Sequence, residues 1–216
     1  MIASLTGPSW FLPYSIIFWI ASSFVTLLIS AWSYKIYKLS KQDKHFYFAL
    51  GFGFISLGYV AIAVSNILLI GPVSTFVRKL FQIFDFGFLT YIILIFMGYL
   101  ALSIVTLEIH MKKAIALIAS LLLLLVIFSY QYTIKFHMVS FVMLFFLAMQ
   151  FYQNYLKKRS FNSGLVFTSF YLMTIAQPLF ILGIIYYAIC GIAAHLLQIV
   201  AYMLLLWVFV RVVKNG

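Results

Sequence analysis

The chain has 216 residues, of which 66% are hydrophobic and 8% charged, and its formal net charge is +11. Soluble domains carry about 45–50% apolar and about 25% charged residues, so the composition excludes a soluble enzyme, a disulfide-stapled secreted domain and a disordered chain. In a soluble protein 14 basic against 3 acidic residues would point to nucleic acid. Here the basic residues fall between apolar runs, as in the cytoplasmic loops of a membrane protein, and no nucleic-acid partner is expected.

In chain order the apolar runs predict seven spans, at 10–33, 46–70, 82–106, 113–130, 136–156, 163–185 and 189–212. Each is long enough to cross a bilayer, which takes about 20 helical residues, and seven of them occupy roughly 140 positions. The last two runs are nearly fused. They divide near Tyr186 and Tyr187, between Gly183 and Gly191, because an unbroken run from Gly164 to Val210 would be about twice one crossing. No Lys or Arg precedes Lys35 and the first run is longer than a signal-peptide core, so it reads as a span. The whole of 1–216 reads as one all-α integral membrane domain, a seven-transmembrane helix bundle working with helices and short loops. Cys190 is the single cysteine, which excludes an intrachain disulfide and a cysteine-only metal site.

Loop charges orient the bundle. Lys35, Lys38, Lys41, Lys44, Lys112, Lys113, Lys157, Lys158, Arg159, Arg211 and Lys214 fall in one set of connections; Arg78, Lys79 and Lys135 fall in the other. The richer set belongs in the cytoplasm, which puts the N-terminus outside and the C-terminus inside. Trp10 and Trp32 lie near opposite ends of the first span and Trp207 near the inner end of the last, as interfacial anchors do. The excess of Lys over Arg, with frequent Ile, Phe and Tyr, suits a prokaryotic plasma membrane.

An internal repeat is also legible. Tyr34 and Tyr37 precede one basic loop, Tyr152 and Tyr155 another, and Gly98-Tyr99 in the third span matches Ala201-Tyr202 in the seventh. Spans 1–3 and 5–7 would then be parallel copies joined by the fourth, a three-plus-one-plus-three plan known among membrane proteins. The competing reading is that Tyr near interfaces and small-Tyr pairs are common in such a composition.

Polar groups inside spans are expensive in a bilayer and each is a candidate site. His195, Gln198 and Tyr202 share one face of the seventh span; they either line a pocket or hydrogen-bond neighbouring helices. Asp85 either holds a cation, proton or basic ligand group, or pairs with Arg78 or Lys79, or caps its helix. Asn66 lies near the outer end of the second span, and Gln177 precedes Pro178, a kink that can open a cavity. Together Asn66, Asp85, Gln177, His195 and Gln198 are expected to ring a cavity in the outer half of the bundle, binding a small molecule. Haem would need two facing imidazoles; His195 and His137 are both outer, with His137 placed at the mouth of its span. Haem is thus a minor reading, and otherwise no cofactor and no metal is expected. The last span has no lysine before Lys214, which argues against a retinal Schiff base. No catalytic constellation is seen, so no enzyme is expected.

The run Ala194-His195-Leu196-Leu197-Gln198-Ile199-Val200-Ala201-Tyr202 resembles the final helix of the seven-helix membrane-associated sensor domains of histidine kinases and diguanylate cyclases, and the basic loop after Tyr34 and Tyr37 is similar too. The resemblance implies sensing with output through the last helix. Those domains precede an effector, whereas this sequence stops soon after the helix, so the expectation is a stand-alone sensor with a membrane or cytoplasmic signalling partner. The sugar-transporter and Pro-Gln-loop group is similar in helix number and plan, although its Pro-Gln motif is absent. Three functions follow: a sensor or ligand-binding domain, a small-molecule carrier, or a non-catalytic subunit of a membrane complex.

Overall fold

The computed structural model describes residues 12–70, 83–107, 132–186 and 188–215. These residues form six α-helices: α1 (Leu12–Ser40), α2 (Asp43–Ile70), α3 (Ile83–Leu107), α4 (Tyr132–Lys158), α5 (Phe161–Ile185) and α6 (Ala188–Asn215). All six are long and apolar enough to cross a membrane; the protein is a polytopic, all-helical membrane protein. Each helix is apolar on nearly every side, as a membrane span is. In hydrocarbon the helix also satisfies its own backbone groups. The expected span at 113–130 lies outside the described residues.

The helices run several residues past the predicted spans, α1 to Ser40 and α4 from Tyr132 to Lys158. Polar ends such as Lys35–Ser40 and Gln153–Lys158 break the hydropathy pattern but keep good helix formers, so hydropathy alone stops short of the helix ends. The turn placed at Tyr186 and Tyr187 is where α5 gives way to α6. Pro178 sits on an exposed face of α5, and the helix continues through it to Ile185.

Side-chain contacts fix the helix directions. Phe48 near the start of α2 meets Phe151 and Phe209 near the ends of α4 and α6. Trp19 near the start of α1 meets Tyr91 and His195, near the starts of α3 and α6, and Phe88 of α3 meets Phe136 of α4. Thus α1, α3, α4 and α6 run one way and α2 and α5 the other. Lys35–Lys44, Lys157–Arg159 and Arg211 gather at one end, the basic end; Lys135 lies toward the opposite, far end.

Each helix packs on its chain neighbour: α1 on α2 on α3, and α4 on α5 on α6. The two triplets close into a ring through α6 on α1 and α3 on α4, which pack less extensively. Large apolar side chains such as Ile17, Leu57, Val142 and Met203 cover the exterior, where lipid accepts them. Inside, hydroxyls join helices: Ser23 and Ser56 hydroxyls lie 3.2 Å apart, and Ser30 Oγ donates to the Ala49 carbonyl at 2.7 Å. Such bonds hold helices together where lipid supplies no hydrophobic drive.

The triplets match in register. At one constant shift in numbering, Ser15, Trp19, Ser22, Thr26 and Ile29 of α1 correspond to Thr133, His137, Ser140, Leu144 and Leu147 of α4, and all ten are buried. The same shift pairs Phe52, Ile55, Tyr59 and Ile62 of α2 with Phe170, Met173, Gln177 and Phe180 of α5, again all buried. Gly98 and Tyr99 of α3 correspond to Ala201 and Tyr202 of α6; both tyrosines are buried. Both inter-helix turns at the basic end place a non-glycine residue in the left-handed region, Lys41 at φ 55° and Arg159 at φ 45°. Each donates its N–H four residues back, to Tyr37 (2.8 Å) and Tyr155 (2.7 Å) carbonyls. The two hairpins therefore close by the same device.

Candidate functional site

The buried polar side chains cluster on helix faces that meet in the far half of the bundle. On α6, Ala194, His195, Gln198, Ala201 and Tyr202 form one buried stripe while Leu196, Val200 and Met203 face outward, the spacing a helix gives residues one turn apart. The predicted trio His195, Gln198 and Tyr202 thus points inward together. Gln198 Nε2 donates to the hydroxyls of Tyr59 (2.7 Å) and Tyr202 (3.3 Å), and the two hydroxyls lie 2.6 Å apart. This triangle bridges α2 to α6, that is, one triplet to the other.

Above the triangle lies a layer of rings. Trp19 stacks on Tyr59 (centroids 5.6 Å) and meets His195 edge-on at 4.6 Å. Tyr91 of α3 meets both Trp19 (5.7 Å) and Tyr59 (6.0 Å), and Phe18 stacks on His195 at 5.2 Å. The Trp19 indole N–H is buried without a hydrogen-bond partner among the described residues.

Gln177 belongs to a second cluster. Its Oε1 is 2.9 Å from Nδ1 of His137, and its Nε2 faces the Met173 carbonyl at 3.4 Å. That amide orientation makes Nδ1 the donor and leaves the His137 lone pair on Nε2. Thr133 and Ser140, one turn either side of His137, are buried and their hydroxyls lack partners. Phe180 joins the two clusters, touching His137 at 4.9 Å and His195 at 4.8 Å. Any porphyrin axially bound by both imidazoles would have to displace that ring.

The predicted ring of five is therefore not one circle. His195 and Gln198 meet around Tyr59 and Tyr202, Gln177 joins them only through His137 and Phe180, and Asn66 stands apart. Asn66 is fully buried on the same face of α2 as Tyr59 and Ile62, with neither its amide N nor its amide O hydrogen-bonded among the described residues. Asp85 falls in the first turn of α3, and its side chain lies outside the described residues. Among the described residues no group of three His, Cys, Asp or Glu is placed to hold a metal.

Sequence reasoning missed Tyr59, Trp19 and His137 as site members. Trp19 and Tyr59 sit mid-span among aromatic neighbours and carry no charge to mark them. The predicted apolar run begins at 136, which places His137 at the mouth of its span, but α4 starts at Tyr132 and buries His137 against α5. The available signal was spacing: Thr133, His137 and Ser140 repeat at helical intervals, as Ser15, Trp19 and Ser22 do on α1.

Comparison of the chain with protein-family models, with curated proteins and with solved structures returned no match.

Proposed function

We propose that this polytopic protein is a non-catalytic ligand-binding domain of the sensor type, with its site in the ring layer between the two helix triplets. The observation that carries this reading is the indole N–H of Trp19, buried in that layer with no hydrogen-bond partner among the described residues. Buried polar groups are nearly always hydrogen-bonded, and exceptions mark places where water or a ligand belongs. The likeness of the last helix to sensor domains supports output through α6, which carries Gln198 and Tyr202 from the site to the basic end.

The topology that goes with it has seven spans, the far end outside and the basic end in the cytoplasm of a prokaryotic cell. In support, Leu107 ends α3 at the basic end and Tyr132 begins α4 at the far end, so the intervening chain joins opposite ends of the bundle. Single cysteines at Lys41 and Lys135, in a background lacking Cys190, should label from opposite sides of intact cells; labelling from one side would overturn it.

A carrier is the second reading, favoured by the matched register of the triplets: parallel repeats with a site at their interface are a transporter plan. The deciding experiment is purification in native lipid with mass spectrometry of co-purified small molecules. A compound present with the native chain and lost from Gln198→Leu supports the site. If that compound then crosses proteoliposome membranes only when the protein is present, the carrier reading replaces the sensor.

A further inference from the structure

The ring layer can be characterised by counting its hydrogens. Gln198 Nε2 brings two and the hydroxyls of Tyr59 and Tyr202 bring one each. The triangle has three edges, at 2.7, 3.3 and 2.6 Å, and each edge uses one hydrogen. One hydroxyl hydrogen is left over, and neither hydroxyl makes another hydrogen bond among the described residues. Reversing the Gln198 amide would leave two hydroxyl hydrogens for three edges, so the orientation with Nε2 toward the hydroxyls is the one that fills every edge. In that orientation the triangle has one more hydrogen than it has edges.

The indole N–H of Trp19 is a second surplus donor, buried and unpartnered, on a ring that stacks against Tyr59. Two unused donors thus belong to touching rings. Among the described residues no Lys, Arg, Asp or Glu side chain is buried. An anion would satisfy the donors but would be buried without a counter-charge. A neutral carbonyl oxygen offers two lone pairs, one for each donor, and a flat ring attached to it would extend the aromatic stack.

We propose that the layer binds an uncharged, ring-bearing carbonyl compound, its oxygen accepting from the Tyr59–Tyr202 pair and from Trp19 Nε1. This rests on the ligand-binding reading above and adds the ligand's chemistry to it.

The test is a fluorine NMR titration of the purified full chain in lipid nanodiscs with two probes of one shape. One is 4-fluoroacetophenone, which carries the acceptor, and the other is 1-ethyl-4-fluorobenzene, which lacks it. The ketone should bind about tenfold more tightly than the hydrocarbon, and Trp19→Phe should largely erase the difference between the two probes. An independent readout on the unmodified chain is the ketone's carbonyl stretch, which should fall in frequency on binding as the oxygen accepts hydrogen bonds. Equal affinity for the two probes, or an unshifted carbonyl band, would overturn the carbonyl proposal while leaving a site for apolar ligands. Binding of neither probe would overturn both the proposal and the ligand-binding reading beneath it.

Discussion

The hydroxyl pair Tyr59–Tyr202 gives the most direct test of how the two triplets are joined. In Tyr202→Phe, Gln198 loses one acceptor and Tyr59 loses its hydroxyl partner, so up to two donors are stranded in a buried layer. In Tyr59→Phe the shorter Gln198 bond (2.7 Å) and the same 2.6 Å hydroxyl contact are lost. A net hydrogen bond contributes about 0.5–1.5 kcal/mol, and an orphaned buried donor costs about 1–3 kcal/mol. Each single variant should therefore lose about 1–2 kcal/mol. The double variant strands only the Gln198 amide, so it should cost less than the sum of the singles. Double-mutant cycles between membrane helices average about 0.6 kcal/mol and reach about 1.7; at 2.6 Å and full burial, the coupling here should lie in the upper part of that range. Reversible unfolding in mixed micelles, titrated with SDS and followed by circular dichroism, measures all four corners. A coupling within error of zero, with all four proteins folded, would refute the claim that this bond joins the triplets.

Three further outcomes follow from the packing. A Cβ on Gly98 would lie 2.6 Å from Ile55 Cγ1 and 2.8 Å from the Gly51 carbonyl oxygen, so Gly98→Ala should destabilise by about 1–3 kcal/mol. Gly53→Ala, whose nearest contact is Ser30 Oγ at 3.4 Å, should be neutral or gain up to about 1 kcal/mol from helix propensity, and the same SDS titration separates the two. His137→Leu should cost about 1–3 kcal/mol by stranding Gln177, whereas His137→Leu with Gln177→Leu should recover part of that, because replacing both partners removes the orphan; additive losses in thermal unfolding would argue against the pair. Replacing Arg159 by Gly should stabilise the hairpin by about 1 kcal/mol, since a left-handed residue with a side chain costs roughly 1–2 kcal/mol, and an unchanged unfolding midpoint would show the turn to be unstrained.

Six of the seven expected spans coincide with described helices because hydropathy is set by composition along a run, which needs no knowledge of neighbours. The turn between α5 and α6 was also legible, since one bilayer crossing bounds the length of a helix. Helix rotation was legible within α6, where His195, Gln198 and Tyr202 repeat at helical spacing. What the spacing could not supply was rotation between helices. That is why Gln177 was assigned to the same ring as His195 and instead pairs with His137. It is also why Tyr59, the acceptor that completes the α6 trio, went unnoticed: a tyrosine in an aromatic-rich span looks like packing until a partner stands 2.6 Å from its hydroxyl. Gly183 and Gly191 flank the turn between α5 and α6 as expected, and they also serve packing: a Cβ on Gly183 would lie 2.7 Å from the Gly191 backbone nitrogen, so Gly183 lets the two helices approach.

The matched triplets carry one packing scheme with two kinds of contact set into it. Trp19 and Tyr59 occupy the positions that His137 and Gln177 occupy in the second triplet, and each pair is in contact: rings stacked at 5.6 Å in one, a hydrogen bond at 2.9 Å in the other. The backbone arrangement that brings the first and second helices of a triplet together is thus used twice, with different chemistry set into it. The third helices supply the remaining difference, for Ile95 of α3 stands where α6 carries Gln198, and Ile92 where α6 carries His195. The polar side of the layer is therefore contributed by α6 and reaches across to Tyr59 of α2. Because the triangle spans the two triplets rather than lying within one, any sliding of one triplet against the other must stretch its 2.6 Å and 2.7 Å bonds. A ligand that accepts the surplus hydrogen would act at that junction, where a small change in bonding has the whole of α6 as its lever to the basic end.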